Sequence, residues 1–163
     1  MVSDVVGTAR FPDELSSARW QRRAEPQRVR VGDTFCSDDT SGNLRWRCCS
    51  VVTEAHPSQR FAFAVGGAEQ PTATWAFDLR PEPAGTEVVY QVALGDGPSM
   101  LDRVSGGDPD RRSDAEQRRL DRFAELMARM LADLGRRVAE PGSVATVSVT
   151  ATRVEAAPAP AWC

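Results

Sequence analysis

The sequence contains no lysine, one histidine, one tyrosine and no apolar run long enough to cross a membrane as a helix. Each shortage removes a class of function. All 20 basic residues are arginine, set against 23 acidic ones for a net charge of −3. The signs are interspersed, so no single-sign field exists to attract a nucleic-acid backbone or an anionic membrane. Arginine-only usage beside abundant alanine and glycine reads as GC-rich coding rather than as a function. A membrane helix needs roughly 18 consecutive apolar residues, and the N-terminus lacks the basic-then-apolar order of a secretory signal; the expected location is cytoplasmic. The single histidine, His56, sits in the turn EAHPS directly before a proline, and no G-x-S-x-G elbow is present. Hydrolytic and metal chemistry therefore lack their residues, and no catalytic residue, metal or cofactor is expected. Cys36, Cys48, Cys49 and Cys163 show no C-x-x-C spacing and are too few and too uneven for a disulfide framework. They are expected as buried strand thiols.

What is present is a single-domain amount of core: 163 residues, of which 41% are hydrophobic. Residues 2–8 and 12–19 read as two short helical pieces, the second starting at Pro12, and both are too short to stand alone. A strand-rich middle follows. VRVGDTFC (29–36), LRWRCCSVVTE (44–54), RFAFAV (60–65), TATWAFDL (72–79) and TEVVYQVAL (86–94) are separated by Gly-, Pro- and Asp-rich turns, the pattern of an antiparallel meander. Alternation puts Phe61, Phe63 and Val65 on one side of their strand, Trp75, Phe77 and Leu79 on one side of the next, and Val88, Tyr90, Val92 and Leu94 on one side of the last. One sheet face is therefore aromatic and needs a cover.

Residues 113–139 supply it. Ser113 with Glu116 fits a capping box, and Leu120, Phe123, Leu126, Met127, Met130, Leu131, Leu134 and Val138 form one apolar stripe of helical period. The arginines of this segment fall on the other side among acids at i,i+4, where they solvate the helix. Short helices, a meander and one long amphipathic helix make an α+β layered fold rather than an alternating βαβ one.

The ordered set VSD (2–4), FPDELSSARW (11–20), VGDTF (31–35), RWRCCSVVTEAHP (45–57), RFAF (60–63), TWAFDLRPEPAGTEV (74–88) and GPSMLDRV (97–104) resembles the helix-grip superfamily known as START or SRPBCC, particularly its polyketide cyclase/dehydrase and lipid transport group. The resemblance spans most of the chain, although each piece alone is degenerate. It implies a curved antiparallel sheet wrapped around the long helix, with a hydrophobic cavity between them for a lipid, polyketide or aromatic ligand. The family places a strand before the two short helices, and none precedes them here. The tail VSVTATRVEAAPAPAWC (147–163) looks like that missing strand, alternating over 144–154 and followed by an Ala/Pro turn and Trp162. The chain then divides into a helix-grip core, 1–142, and a segment, 143–163, that marks a circular permutation or the start of a second tandem domain. A tail that completes a neighbour's sheet would give a homodimer by swapping; a disordered tail after Pro141-Gly142 is the third alternative.

The candidate ligand-binding residues are Arg47, Cys49, Phe61, Phe63, Trp75, Phe77, Tyr90, Phe123, Met127 and Met130. If Cys49 and Val51 face inward, strand parity turns Arg47 inward as well, where its guanidinium would receive a ligand carboxylate or enolate; the alternative is an Arg47 that reaches to water. Tyr90 offers a hydroxyl on the aromatic face. The expected function is that of a carrier or binding protein for a small hydrophobic molecule. The alternative is an aromatase/cyclase-like enzyme that folds a polyketide for aldol closure, which needs a shaped pocket and one or two polar groups.

Overall fold

The structure, a computed structural model, describes residues 15–41, 44–83, 85–138 and 147–153. Six strands run as an antiparallel meander: β1 (Leu15–Arg22), β2 (Thr34–Ser41), β3 (Leu44–His56), β4 (Arg60–Val65), β5 (Ala73–Glu82) and β6 (Gly85–Leu94). A short helix α1 (Met100–Ser105) and a long helix α2 (Pro109–Val138) follow, and a last strand β7 (Val147–Arg153) returns to the sheet beside β6. Sheet order equals chain order. The sheet is not antiparallel throughout, because β7 pairs with β6 in parallel. A parallel neighbour has to be reached by a crossover, and α1 and α2 are that crossover, with α2 lying against both β6 and β7.

The second expected helix, 12–19, is instead strand from Leu15 onward. Its few residues cannot hold a helix on their own, whereas pairing with β2 satisfies the backbone and places Trp20 beside Phe35. The first expected helix, 2–8, lies outside the described residues. The SDDTS stretch, expected as a turn, belongs to β2; Asp38 gains cross-strand partners there that override its turn preference. Val29 to Val31, expected as strand, lie in the β1–β2 connection. That connection is pinned by Asp33, 2% exposed, whose carboxylate accepts the amides of Ala24 at 2.7 Å and Arg30 at 2.8 Å.

Helix α2 is 30 residues long, about 45 Å at 1.5 Å per residue. It begins at Pro109 rather than at Ser113. Asp108 accepts the amides of Asp110 and Arg111, and proline tolerates the first helical position because its missing N–H has no partner to lose. Glu116 is left to accept Arg112 Nε at 2.9 Å. Leu120, Met127 and Leu131 are buried, and Phe123 and Met130 pack against the same core. Ahead of the helices, Gly95 and Gly97 cross the β4–β5 loop so closely that a Cβ would stand 2.1 Å from the Pro71 carbonyl oxygen and 2.2 Å from that of Gln70. These contacts fix where the chain leaves β6.

Candidate functional site

Strand register builds the inner, helix-facing side of the sheet. Phe61 stands opposite Phe77, which stands opposite Tyr90; Phe63 stands opposite Trp75, which stands opposite Val92. Because residues two apart share a face, rings gather into one continuous surface. Trp20 meets Phe35 edge-on with centroids 5.5 Å apart, and Phe35 meets Phe63 edge-on at 5.1 Å. Phe63 stacks on Trp75 at 6.4 Å, and Trp75 contacts Tyr90 at 5.5 Å. Tyr90 in turn stacks on Phe77 at 3.9 Å. The helix joins this ladder through Phe123, whose ring meets Trp75 edge-on at 4.7 Å. Offset and edge-on pairs of this kind add to what area burial alone supplies.

Of the expected site residues, Phe61, Phe63, Trp75, Phe77, Tyr90 and Met127 lie in one buried cluster, with Phe123 and Met130 packed against it. Arg47 and Cys49 do not join them. On β3, Ser50 pairs with Phe35 of β2, and Val52 pairs with Phe63 of β4, which turns the even-numbered residues inward; a bulge between Val52 and Glu54 then passes the inner face to Ala55. Arg47 and Cys49 therefore project from the outer face, and Arg47 donates from Nε to Asp38 at 2.7 Å. Its pKa is raised first by that hydrogen bond and then by the charge of Asp38. Cys49 is bonded to Cys36, with Cα atoms 4.1 Å apart. The cysteines at 36 and 49 are thus a cross-strand disulfide rather than buried thiols, a pairing that follows from their being direct register partners.

Two polar groups stand on or beside the ring surface. Burial alone raises the pKa of Tyr90 well above the usual phenol range, with no charge or hydrogen bond contributing. The phenol keeps its proton and offers it as a hydrogen-bond donor. Arg23, which sequence reasoning passed over, holds its guanidinium 4.8 Å from the centroid of Trp20. Its neighbours Arg22 and Arg28 gave no reason to single it out, since only the course of the chain after β1 turns it toward the indole.

At the end of the sheet, α1 is fastened to α2. Ser99 and Asp102 make a reciprocal capping box, and Arg112 bridges Asp102 and Glu116. The Asp102 carboxyl is held below its ordinary range, first by the Ser99 amide and next by Arg112. Among the described residues no group of histidine, cysteine, aspartate and glutamate is placed to hold a metal ion, and no helix is long and apolar enough to cross a membrane.

No family model and no curated protein matches the chain. Among solved structures it is similar to the Polyketide_cyc-like protein from Corynebacterium glutamicum determined by NMR, with a TM-score of 0.52 and 21% identity over 80% of this chain and 76% of the other. The two proteins share a fold.

Proposed function

We propose that the protein binds a small hydrophobic molecule between the inner face of the sheet and helix α2, and that it acts as a carrier rather than a catalyst. The observation that carries this reading is the unbroken ring surface from Trp20 to Phe123, facing a helix side lined by Met127 and Met130. An aromatic and thioether lining is apolar and adaptable, and it suits planar or irregular guests such as lipids, polyketides or other aromatics. Arg47 and Cys49 drop out of the proposed site. Phe61, Phe63, Trp75, Phe77, Phe123, Met127 and Met130 stay as its walls, and Tyr90 stays as an orienting donor. The likeness to a Polyketide_cyc-like protein favours one second reading, an enzyme that folds a polyketide for aldol closure. The pKa of Tyr90, raised by burial, suits the phenol to orienting an oxygen as a hydrogen-bond donor, a role that serves either reading.

The tail segment 143–163 is proposed to complete the sheet through β7, within one chain or exchanged between two copies in a homodimer. A cytoplasmic setting requires the Cys36–Cys49 bond to persist against a reducing pool. Native mass spectrometry of protein purified from its own host, followed by titration with the co-purifying molecule, tests the main reading. The expected result is a bound small hydrophobic molecule whose affinity falls about fivefold in Tyr90→Phe, the loss of one hydrogen bond, with no product formed from a poly-β-keto mimic. Turnover of that mimic would replace the carrier with the enzyme. A chain that carries and binds nothing apolar would remove both.

A further inference from the structure

Arginines of intermediate burial find partners elsewhere in the molecule. Arg60 is shared between Glu54 and Asp78, and Arg112 between Asp102 and Glu116. Arg23 differs from both. Its Nε is buried with no hydrogen-bond partner, and no ion pair reaches its guanidinium among the described residues. Among the described residues, the acids close to it in sequence are committed: the Asp33 carboxylate accepts the amides of Ala24 and Arg30, and Glu25 pairs with Arg30. What Arg23 does contact is the ring of Trp20, the first rung of the ladder that runs through Phe35 and Phe63 to Trp75. A buried donor on a permanently charged group is costly to leave unpaired, and the half-buried guanidinium stacked on the indole still has terminal N–H groups to offer a planar acceptor.

From this geometry we infer that the ligand is a hydrophobic anion carrying a carboxylate or enolate, and that Arg23 receives its acidic end beside β1 while its apolar body lies along the rings toward α2. Arg23 then sets specificity. The inference rests on the ligand-binding reading above and adds the charge of the guest. It also moves to the residue that follows β1 the anion-receiving role that parity would have given to Arg47 on β3.

Calorimetric titration of the full chain with naphthoate and with methyl naphthoate separates the two claims. The native protein is expected to bind the acid about tenfold more tightly than the ester, the scale of a charge-assisted two-point hydrogen bond. Arg23→Gln is expected to abolish the difference between the two probes, bringing acid affinity down to that of the ester. Arg23→Lys, which keeps the charge and loses the planar fork, is expected to fall between and serves where the glutamine variant does not fold. Equal binding of acid and ester by the native chain would overturn the role of Arg23 and leave the hydrophobic site standing, as would a preference that survives in both variants. Failure of both probes to bind would remove the site together with its anchor.

Discussion

The two faces of the sheet are held by different physics. The inner face is almost wholly ring and aliphatic surface, with Phe61, Phe77 and Tyr90 each no more than 5% exposed. The outer face carries pairwise, directional links, and these coincide with the register. Cys36 and Cys49, Asp38 and Arg47, Arg60 and Asp78, and Arg80 and Glu87 are each direct cross-strand partners, and each pair is bonded. A slip of one residue would break these links and turn the aromatic set to the opposite side. The outer face thus specifies alignment, while the inner face supplies burial, a non-directional attraction that tolerates exchange of one apolar neighbour for another. A sheet built in this way holds its register through the outer face even where apolar contacts on the inner face are exchanged.

The contrast is sharpest on β5, where neighbours point to opposite faces. Trp75→Ala removes a ring that contacts Phe63, Tyr90 and Phe123 at once, and the expected loss is about 3–5 kcal/mol in urea denaturation. Thr74→Ala, on the exposed side of the same strand, is expected to stay within about 0.5 kcal/mol. Comparable losses at the two positions would erase the distinction between the faces. The next effect in size belongs to the disulfide. Replacing Cys36 and Cys49 together by serine opens a loop of sequence separation 13 and is expected to cost about 2–4 kcal/mol, without altering affinity for a hydrophobic probe. A matching fall in affinity would mean that the outer face shapes the inner one directly.

Much of the inner face was legible because its strands alternate cleanly. F-A-F-A-V, T-W-A-F-D and V-V-Y-Q-V each contain a period of two that assigns Phe61, Phe63, Trp75, Phe77 and Tyr90 without ambiguity, and the helical period did the same for Phe123 and Met127. The stretch W-R-C-C-S-V-V on β3 has no such alternation. Two adjacent cysteines and two adjacent valines fit either parity, so only the pairing of Ser50 with Phe35 and the bulge after Val52 settle the direction. Strand β1 was missed because S-S-A-R has weak preferences and a pairing partner that lies across a long connection. The start of α2 was misplaced because two capping signals compete within five residues, and the Asp108-Pro109 pair prevailed over Ser113. Parallel pairing of β7 follows from the crossover made by two helices, which local alternation does not encode.

Arg47→Ala is the finest test of the division between faces, since it should do least. The guanidinium shares Asp38 with Arg19 on an exposed surface, where water and salt screen the attraction and ordering two long side chains offsets what remains. The raised pKa of Arg47 records a hydrogen bond to Asp38, not a burial that would make the pair indispensable. The disulfide between Cys36 and Cys49 holds the same two strands two register pairs further along, so alignment survives the loss of the ion pair. The expected outcome is a denaturation midpoint within error of the native chain and an unchanged affinity for naphthoate. A drop in naphthoate affinity with an unchanged midpoint would place Arg47 against the ligand after all. It would mean that β3 presents its odd-numbered residues to the rings, contrary to the pairing of Ser50 with Phe35.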